Sequence, residues 1–133
     1  MVSNDTRTEL EDTLGRVPSF IEAVADPAAD HSWGIMRDLE LAETELPVRE
    51  KALVGLGAAV AIQCPYCVHF HRAESKMEGV SETGLEEAIT VASTVRFFST
   101  ILHGAEIEMD DFVDETGKIL EHVEEQQAAA GDD

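Results

Sequence analysis

The sequence has little lysine and no strong cationic patch, which excludes several classes of partner. Against 28 Asp and Glu there are 9 Lys and Arg, and only three of these are lysines, Lys51, Lys76 and Lys118. The formal net charge of -19 repels nucleic acid and anionic membranes, because binding either one requires clustered cations. The acidic residues are scattered evenly along the chain. This pattern favours adaptation to a salty cytoplasm, where salt screens self-repulsion, over a blocked acidic interaction surface.

Long apolar segments and an export signal are also missing. The longest near-apolar run, ALVGLGAAVAI at 52–62, has 11 residues, too few to span a bilayer. The first residues, MVSNDTRTELED, lack the basic and apolar regions of a signal peptide. We therefore expect a cytoplasmic protein that does not bind membranes. In that compartment its two cysteines, three positions apart, indicate redox or metal chemistry rather than a structural disulfide.

Helical signals recur along the chain, whereas strand signals do not. A length of 133 residues with 44% hydrophobic content suits one domain, 1–133, with a core of its own. We predict an all-α fold of about six helices, with 1–16 and 128–133 frayed. The first predicted helix follows Ser19, and the second opens at Asp26–Pro27. The third runs from Pro47 to about Gln63, and the fourth starts at Cys64–Pro65 and ends near Gly79. The fifth runs from Ser81 to Gly104, and the last covers about 110–127.

The stretch CPYCVHFH at 64–71 carries the candidate chemistry. CPYC alone matches the glutaredoxin active site, but that fold needs a strand before the motif and a proline-led strand later. The segment before Cys64 is rich in alanine and glycine, and no proline follows Pro65. The sequence therefore predicts a reactive dithiol without a thioredoxin-like scaffold.

A helix that begins at Cys64 places three reactive side chains on one face. Cys67 lies one turn beyond Cys64, and His71 lies one turn beyond Cys67. A cysteine at a helix N-terminus is stabilised as the thiolate by free backbone N–H groups and by the helix dipole. His71 can accept a proton from a neighbouring thiol. Two thiols and a base are the minimum set for reducing a peroxide or a disulfide.

The stretch from LPVREKALVGLGAAVAIQCPYCVHFHRAESKMEGVSETGLEEAITVAS onward, with RVPSFIEAV and HSWGIMRDLEL before it and VRFFSTILHG after it, resembles a known family. It is similar to the carboxymuconolactone decarboxylase-like superfamily, in its alkylhydroperoxidase D branch. The resemblance implies an all-α thiol-dependent peroxidase without metal or organic cofactor, assembled as a trimer or hexamer. It also implies that Cys67 attacks the hydroperoxide, Cys64 resolves the intermediate as a disulfide, and His71 relays the proton. An external thiol would then reduce the disulfide.

The sequence departs from that branch at two positions. The branch usually carries a glutamate twelve residues before the first cysteine, where this chain has Ala52. This departure predicts inefficient peroxide turnover and favours thiol–disulfide exchange. Some members place a histidine where this chain has Tyr66. The cap position by itself favours Cys64 as the more acidic thiol, so the order of attack stays open between the two cysteines.

Further residues are candidates for supporting roles. They are Glu50, two residues before Ala52; Tyr66, which can shield the sulfurs; His69, which points away from His71 on a helix; and His103, in the last turn of its helix.

Two other functions compete with the redox enzyme. The decarboxylase branch of the superfamily suggests a lyase, although such a site needs acid–base residues and no cysteines. A non-enzymatic redox sensor or metal-binding oligomer is the other alternative. Cys64, Cys67, His71 and His69 are possible zinc ligands, but structural zinc usually draws on two chain segments, and no second motif completes a tetrahedral site.

Overall fold

The computed structural model describes residues 1–131, and within that range it is all-α. The seven α-helices are α1 (Asn4–Leu14), α2 (Ser19–Glu22), α3 (Asp26–Ile35), α4 (Val48–Ala61), α5 (Pro65–Met77), α6 (Glu82–Gly104) and α7 (Met109–Ala130). Contacts divide the chain into two compact units, Met1–Ala92 and Ser93–Asp133. The predicted single domain stays a prediction. No helix among residues 1–131 combines the length and apolar character needed to cross a membrane.

The first hydrophobic cluster of the first unit is built by α1, α2 and α3. Its buried members are Val2, Leu10, Ile21, Ala29, Trp33 and Met36. The indole Nε1 of Trp33 donates a hydrogen bond of 2.9 Å to the carboxylate of Glu9, which also accepts from Arg37 at 2.9 Å. The only tryptophan of the chain is therefore buried with its polar atom satisfied.

Helix α3 ends in a π-helical turn, Met36–Glu40. Its closing bond runs from the N–H of Leu41 to the carbonyl of Met36 at 2.9 Å, so one extra residue is fitted into the turn. Short π-helical turns are often found at functional sites. Lys51 of α4 secures the chain on both sides of Leu41, because its ammonium group donates to the carbonyls of Leu39 at 2.7 Å and Ala42 at 2.8 Å.

Helices α4 and α5 form the main helix pair of the first unit. The second hydrophobic cluster lies beside it, with Leu56 from α4, Val80, and Leu85 from α6 fully or nearly buried. Helix α5 stops at Gly79, which has a φ of 81°, the left-handed conformation that glycine adopts easily. Helix α6 then begins after Ser81, whose hydroxyl accepts from the N–H of Gly84 at 3.1 Å.

The second unit contains the end of α6 and all of α7. Within its described residues, α7 has no buried side chain. Large apolar side chains on both helices are mostly exposed, among them Val95, Phe98, Val113 and Leu120. This unit therefore presents apolar surface that its own helices do not cover.

The predicted all-α class is confirmed, but residues 1–131 form one α-helix more than the sequence indicated. The additional helix is α1, in the segment 1–16 that was expected to be frayed. Ser3 caps it by accepting from the N–H of Thr6, and Gly15 ends it with a φ of 76°. Leu10 anchors it in the core with no exposed surface. At the other end α7 continues to Ala130, and residues 132–133 of the expected frayed tail lie outside the described range.

Candidate active site

The dithiol lies at the start of α5, as predicted from the sequence. Cys64 is the N-cap residue, Pro65 follows it in the first turn, and the backbone N–H of Cys67 donates to the Cys64 sulfur at 3.2 Å. The two cysteines form a disulfide with their Cα atoms 5.3 Å apart. This separation lies within the usual range for a disulfide.

A tight turn with left-handed backbone joins α4 to α5. Gln63 has a φ of 57°, which is uncommon for a residue with a side chain. The N–H of Cys64 donates to the carbonyl of Ala59 at 3.1 Å, a bond typical of a helix C-terminus closed by a left-handed residue. Gln63 therefore ends α4 and positions Cys64 to begin α5.

His71 is held by a carboxylate on its own helix. Its Nδ1 lies 2.9 Å from Oε2 of Glu74, and the two side chains are 22% and 13% exposed. The spacing of three residues puts both groups on one side of α5. Phe70 meets the imidazole edge-on, with ring centroids 5.2 Å apart. The base predicted from the sequence is therefore mostly buried and hydrogen-bonded.

A glycine of α4 makes room for the imidazole. A β-carbon added at Gly55 would lie 2.5 Å from Cε1, 2.6 Å from Nδ1 and 2.8 Å from Nε2 of His71. Because real β-carbons essentially never approach other atoms this closely, only glycine at position 55 fits this ring position. Gly55, one of the small residues of α4, thus leaves the space that the His71 ring occupies.

Cys67 and His71 both line an apolar cavity of about 690 Å³. Its wall is mostly hydrophobic and comes from α2, α3, the π-helical turn and α5. The other lining residues are Phe20, Ile21, Val24, Ser32, Ile35, Met36, Glu40, Pro65, Tyr66, His69 and Phe70. Cys64 is not among the lining residues. A molecule in this cavity can therefore contact Cys67 and His71 but not Cys64.

His71 also lines a smaller and more polar cavity of about 300 Å³. It is lined by Leu39, Glu40, Leu46, Lys51, Val54, Gly55, His71 and Glu74. His71 and Glu40 belong to both cavities. The imidazole therefore borders both an apolar cavity lined by Cys67 and a cavity lined by two carboxylates and an ammonium group.

The C-terminal half of α5 is fixed to the start of α6 by ion pairs. The carboxylate of Glu82 accepts from Arg72 at 2.8 Å and also pairs with Lys76. Hydrogen bonding to Lys76, with the nearby positive charge of Arg72, lowers the pKa of Glu82 below its ordinary value. This contact holds the helix that carries the cysteines against the next helix of the first unit.

The remaining predicted site residues differ in the cavities that they line and in their exposure. Tyr66 and His69 line the apolar cavity, and Tyr66 is 86% exposed. Glu50 is exposed on the first turn of α4 and lines neither of the two cavities. Ala52, at the position where a glutamate was missing, is buried at 1% exposure. His103 belongs to the second unit, where it lines a shallow groove formed by residues of that unit.

The sequence reasoning missed Glu74, Gly55 and Glu40. For Glu74 a signal existed, because a glutamate three residues after a histidine on a helix lies within hydrogen-bonding reach. Gly55 was visible only as one small residue among several on α4. Glu40 had no signal, since the π-helical turn that brings it to the cavities is not apparent in the pattern. Among residues 1–131, no three Asp, Glu, His or Cys side chains are grouped closely enough to hold a metal ion.

Comparison with known proteins points to one family. The model of the carboxymuconolactone decarboxylase family matches residues 27–107, a range that contains both cysteines, His71 and Glu74. A Paracoccus denitrificans protein described as uncharacterized protein 4 in the cox locus is 28% identical over 79 residues, which are 59% of this chain and 71% of that protein. The crystal structure of the alkylhydroperoxidase AhpD core from Rhodospirillum rubrum matches with a TM-score of 0.70 and 19% identity, covering 82% of this chain and 83% of that one. At that identity the likeness concerns the fold.

Proposed function

This chain belongs to the carboxymuconolactone decarboxylase family, and we propose that it is a thiol-dependent oxidoreductase that reduces hydroperoxides through its Cys64–Cys67 pair. One observation carries the proposal. A cysteine that can join its neighbour in a disulfide shares an apolar cavity with a carboxylate-bound histidine. This arrangement supplies a nucleophile and a base in one cavity, and a resolving thiol that can bond to the nucleophile.

The proposed cycle uses only the two sulfurs, the imidazole and an external thiol. His71 accepts the proton of Cys67, and the thiolate attacks the outer oxygen of the hydroperoxide. The O–O bond breaks, Cys67 becomes a sulfenic acid, and His71 returns the proton to the departing alkoxide, which leaves as an alcohol. The Cys64 thiol then attacks the Cys67 sulfur, forms the disulfide and releases water. A dithiol donor reduces the disulfide and is itself oxidised.

The position of the cavity supports Cys67 as the attacking residue. Cys67 lines the cavity beside His71, whereas Cys64 caps the helix and accepts the N–H of Cys67. A sulfur stabilised as thiolate at a helix N-terminus is a good leaving group when the disulfide is reduced. Cys64 is therefore suited to resolve and to leave, and Cys67 to meet the substrate.

The cavity also supports a preference for apolar substrates. Its wall contains Phe20, Ile35, Met36 and Phe70, and its volume of about 690 Å³ lies within the range of pockets for small organic ligands. Burial of an apolar body contributes roughly 25 cal/mol for each Å² removed from water. We therefore expect organic hydroperoxides to be reduced with a lower KM than hydrogen peroxide.

Thiol–disulfide exchange is the second candidate activity. The buried Ala52 leaves α4 without a carboxylate at the position where related peroxidases carry one, and exchange makes no demand on a peroxide proton relay. The same Cys67 would attack a small apolar disulfide in the cavity and displace one thiol from it. Cys64 would then attack the Cys67 sulfur of the mixed disulfide, release the second thiol and form the Cys64–Cys67 disulfide. The two activities thus share the cavity and the order of the cysteines.

The decisive experiment compares single-cysteine variants in a coupled assay with cumene hydroperoxide, a small aromatic disulfide and dithiothreitol. We expect C67S to lose both activities and C64S to turn over more slowly, because its oxidised Cys67 can then be reduced only by dithiothreitol. Without dithiothreitol, thiol counting on the unmodified protein should show two thiols consumed per hydroperoxide. Serine is nearly isosteric, so folding is preserved and can be checked by circular dichroism. Unchanged turnover of either substrate by C67S would overturn this role of the dithiol.

We also propose that the protein acts as a homo-oligomer, a trimer or a hexamer. The exposed apolar side chains of the second unit, such as Phe97 and Phe98 at 60% and 57% exposure, support this proposal because large uncovered apolar surface is uncommon on monomers. Sizing by light scattering in molar KCl, where self-repulsion is screened, should give a mass three or six times that of the chain. A monomeric mass in that buffer would contradict the assembly.

A further inference from the structure

We propose that Glu74 and Gly55 form a seat that fixes the tautomer of His71, with the proton on Nδ1 and the lone pair on Nε2. Glu74 and Gly55 are thus positioning residues that act through His71. The inference deepens the proposed function, because it states which atom of the base takes the thiol proton. The tautomer can nevertheless be measured without any turnover.

Glu74 selects the nitrogen that carries the proton. Its Oε2 lies 2.9 Å from Nδ1 of His71, and an ionised carboxylate can only accept a hydrogen bond. In the neutral imidazole, Nδ1 must therefore be the donor, and Nε2 is left with the lone pair. With Glu74 at 13% and His71 at 22% exposure, this hydrogen bond competes less with water than a surface pair does.

Gly55 limits the positions that the ring can take. The edge formed by Nδ1, Cε1 and Nε2 faces the α-carbon of Gly55, and a β-carbon there would approach all three atoms to within 2.8 Å. The ring therefore lies against the backbone of α4 on one side and is bound by Glu74 of α5. Two neighbouring helices together define one seat for the imidazole.

The other ionisable groups around His71 do not offer Nδ1 a closer partner. Glu40, from the π-helical turn, and Lys51, from α4, line the smaller cavity with His71. The ammonium group of Lys51 is engaged by the carbonyls of Leu39 and Ala42.

On the side of the larger cavity, the ionisable neighbours of His71 are Cys67, Tyr66 and His69, with Glu40 common to both cavities. Cys67 is the group of the proposed reaction, and it lies one helical turn before His71. Nε2 is then the proton acceptor for the Cys67 thiol and the donor to the departing alkoxide. When Nε2 is protonated, the imidazolium still donates its Nδ1–H to the Glu74 carboxylate, whose Oε2 lies 2.9 Å away.

The test is a long-range ¹H–¹⁵N NMR spectrum of the histidine side chains in the reduced C64S protein, over a pH series. The ¹⁵N shifts separate the two neutral tautomers, and H71N identifies the signals of His71. We expect the Nδ1–H tautomer at His71 in the parent protein and a change to a mixture or to Nε2–H in E74A. The matched control is E78A, which removes an exposed carboxylate four residues further on, at the C-cap of α5, and should leave the spectrum unchanged.

A second pair of variants tests the contribution of α4. G55A should displace the imidazole from Glu74 and change the His71 signals as E74A does. G57A is the matched control, since both substitutions add a methyl group to α4, but a β-carbon at position 57 would be 4.0 Å from the Ala92 β-carbon, an ordinary contact. If G55A does not fold, E74A by itself still decides the question.

The rate of Cys67 alkylation by iodoacetamide in the C64S background gives a functional readout. We expect E74A to slow it at neutral pH roughly tenfold and to shift the rate profile to higher pH, since general-base assistance of this kind is worth about 10²–10⁴ in full. An Nε2–H tautomer in the parent protein, or E74A profiles that overlay the parent, would overturn the inference. If either of these results is found while C67S loses peroxidase activity, the tautomer is refuted and the proposed function stands. If the expected tautomer is found while C67S keeps full turnover, the proposed function is refuted and the tautomer stands.

Discussion

The backbone N–H of Cys67 points at the sulfur of Cys64, with 3.2 Å between nitrogen and Sγ. In the reduced protein the same N–H and the positive end of the α5 dipole both favour a thiolate on Cys64. Cys67 lacks this cap but lines the cavity with His71. The two sulfurs are thus chemically different although they are only three residues apart, and the proposed cycle uses that difference.

The first prediction concerns the intermediate on Cys67. In C64S no thiol is available to resolve a sulfenic acid, so one equivalent of hydroperoxide should leave Cys67 as sulfenic acid. Dimedone added with the hydroperoxide should give one adduct at Cys67, which intact-mass and peptide mass spectrometry would locate. C67S, treated in the same way, should give little adduct. If C67S gives more adduct, at Cys64, than C64S gives at Cys67, the assigned order of attack is reversed.

The second prediction concerns the left-handed turn before the dithiol. A left-handed conformation costs a residue with a side chain roughly 1–2 kcal/mol, whereas glycine gives up about 0.5–1 kcal/mol of chain entropy on being ordered. Since Gln63 has a φ of 57°, Q63G should raise the free energy of unfolding by up to about 1 kcal/mol. Urea denaturation would measure the change.

A β-branched residue at position 63 should act in the opposite direction, because it is strained in this conformation. Q63V is therefore expected to be less stable than the parent protein, and the stability of Q63A should lie between those of the parent protein and Q63V. Equal stability of Q63G and Q63V would mean that the turn is not held in the left-handed conformation.

The third prediction concerns pH and the contact between α5 and α6. Hydrogen bonding to Lys76 and the charge of Arg72 lower the pKa of Glu82. A carboxyl group whose pKa is lower in the folded state stabilises the protein above its unfolded pKa, and this contribution disappears as the pH falls through the folded pKa. E82Q should therefore lower Tm at pH 7, and the difference from the parent protein should vanish in acid.

The control for that variant is E87Q, which removes an exposed carboxylate from the same helix. Because the chain carries a net charge of -19, loss of an acid without a strong partner should leave Tm unchanged or raise it by reducing self-repulsion. Equal Tm changes for E82Q and E87Q at pH 7 would contradict the role of Glu82.

The fourth prediction concerns salt. Twenty-eight acidic residues against nine basic ones destabilise the folded chain by repulsion. Salt screens this repulsion, because the Debye length falls from about 10 Å at 0.1 M to about 3 Å at 1 M. Tm should rise steadily as KCl increases from low to molar concentration. Glucose at concentrations of equal osmolarity is the control for non-ionic effects. A Tm that falls with KCl would argue against adaptation to a salty cytoplasm.

The position of the two cysteines at the start of a helix that also carries His71 could be predicted because it depends on one helix. Steps of three and four residues fix which side chains share a face once the helix begins at Cys64. The seat of His71 could not be predicted in full. Gly55 meets the imidazole because α4 and α5 approach closely, and this distance between helices is not encoded in the spacing of residues within either one.

Helix α1 shows a different reason for a missed element. Its cap residues Ser3 and Gly15 stand in the sequence, but Leu10 is the only residue of the helix that is buried. A single buried apolar residue gives no periodic pattern to detect. The helix is held instead through contacts with α3, including that of Glu9 with Trp33, and these lie far apart in the chain.

The buried indole of Trp33 offers an optical probe that needs no labelling. As the only tryptophan, packed with α1 and α2 at 1% exposure, it reports through its fluorescence on this corner of the molecule alone. A shift of the emission to longer wavelength would reveal loosening of the first hydrophobic cluster, and comparison with far-ultraviolet dichroism would show whether the remaining helices melt at the same temperature.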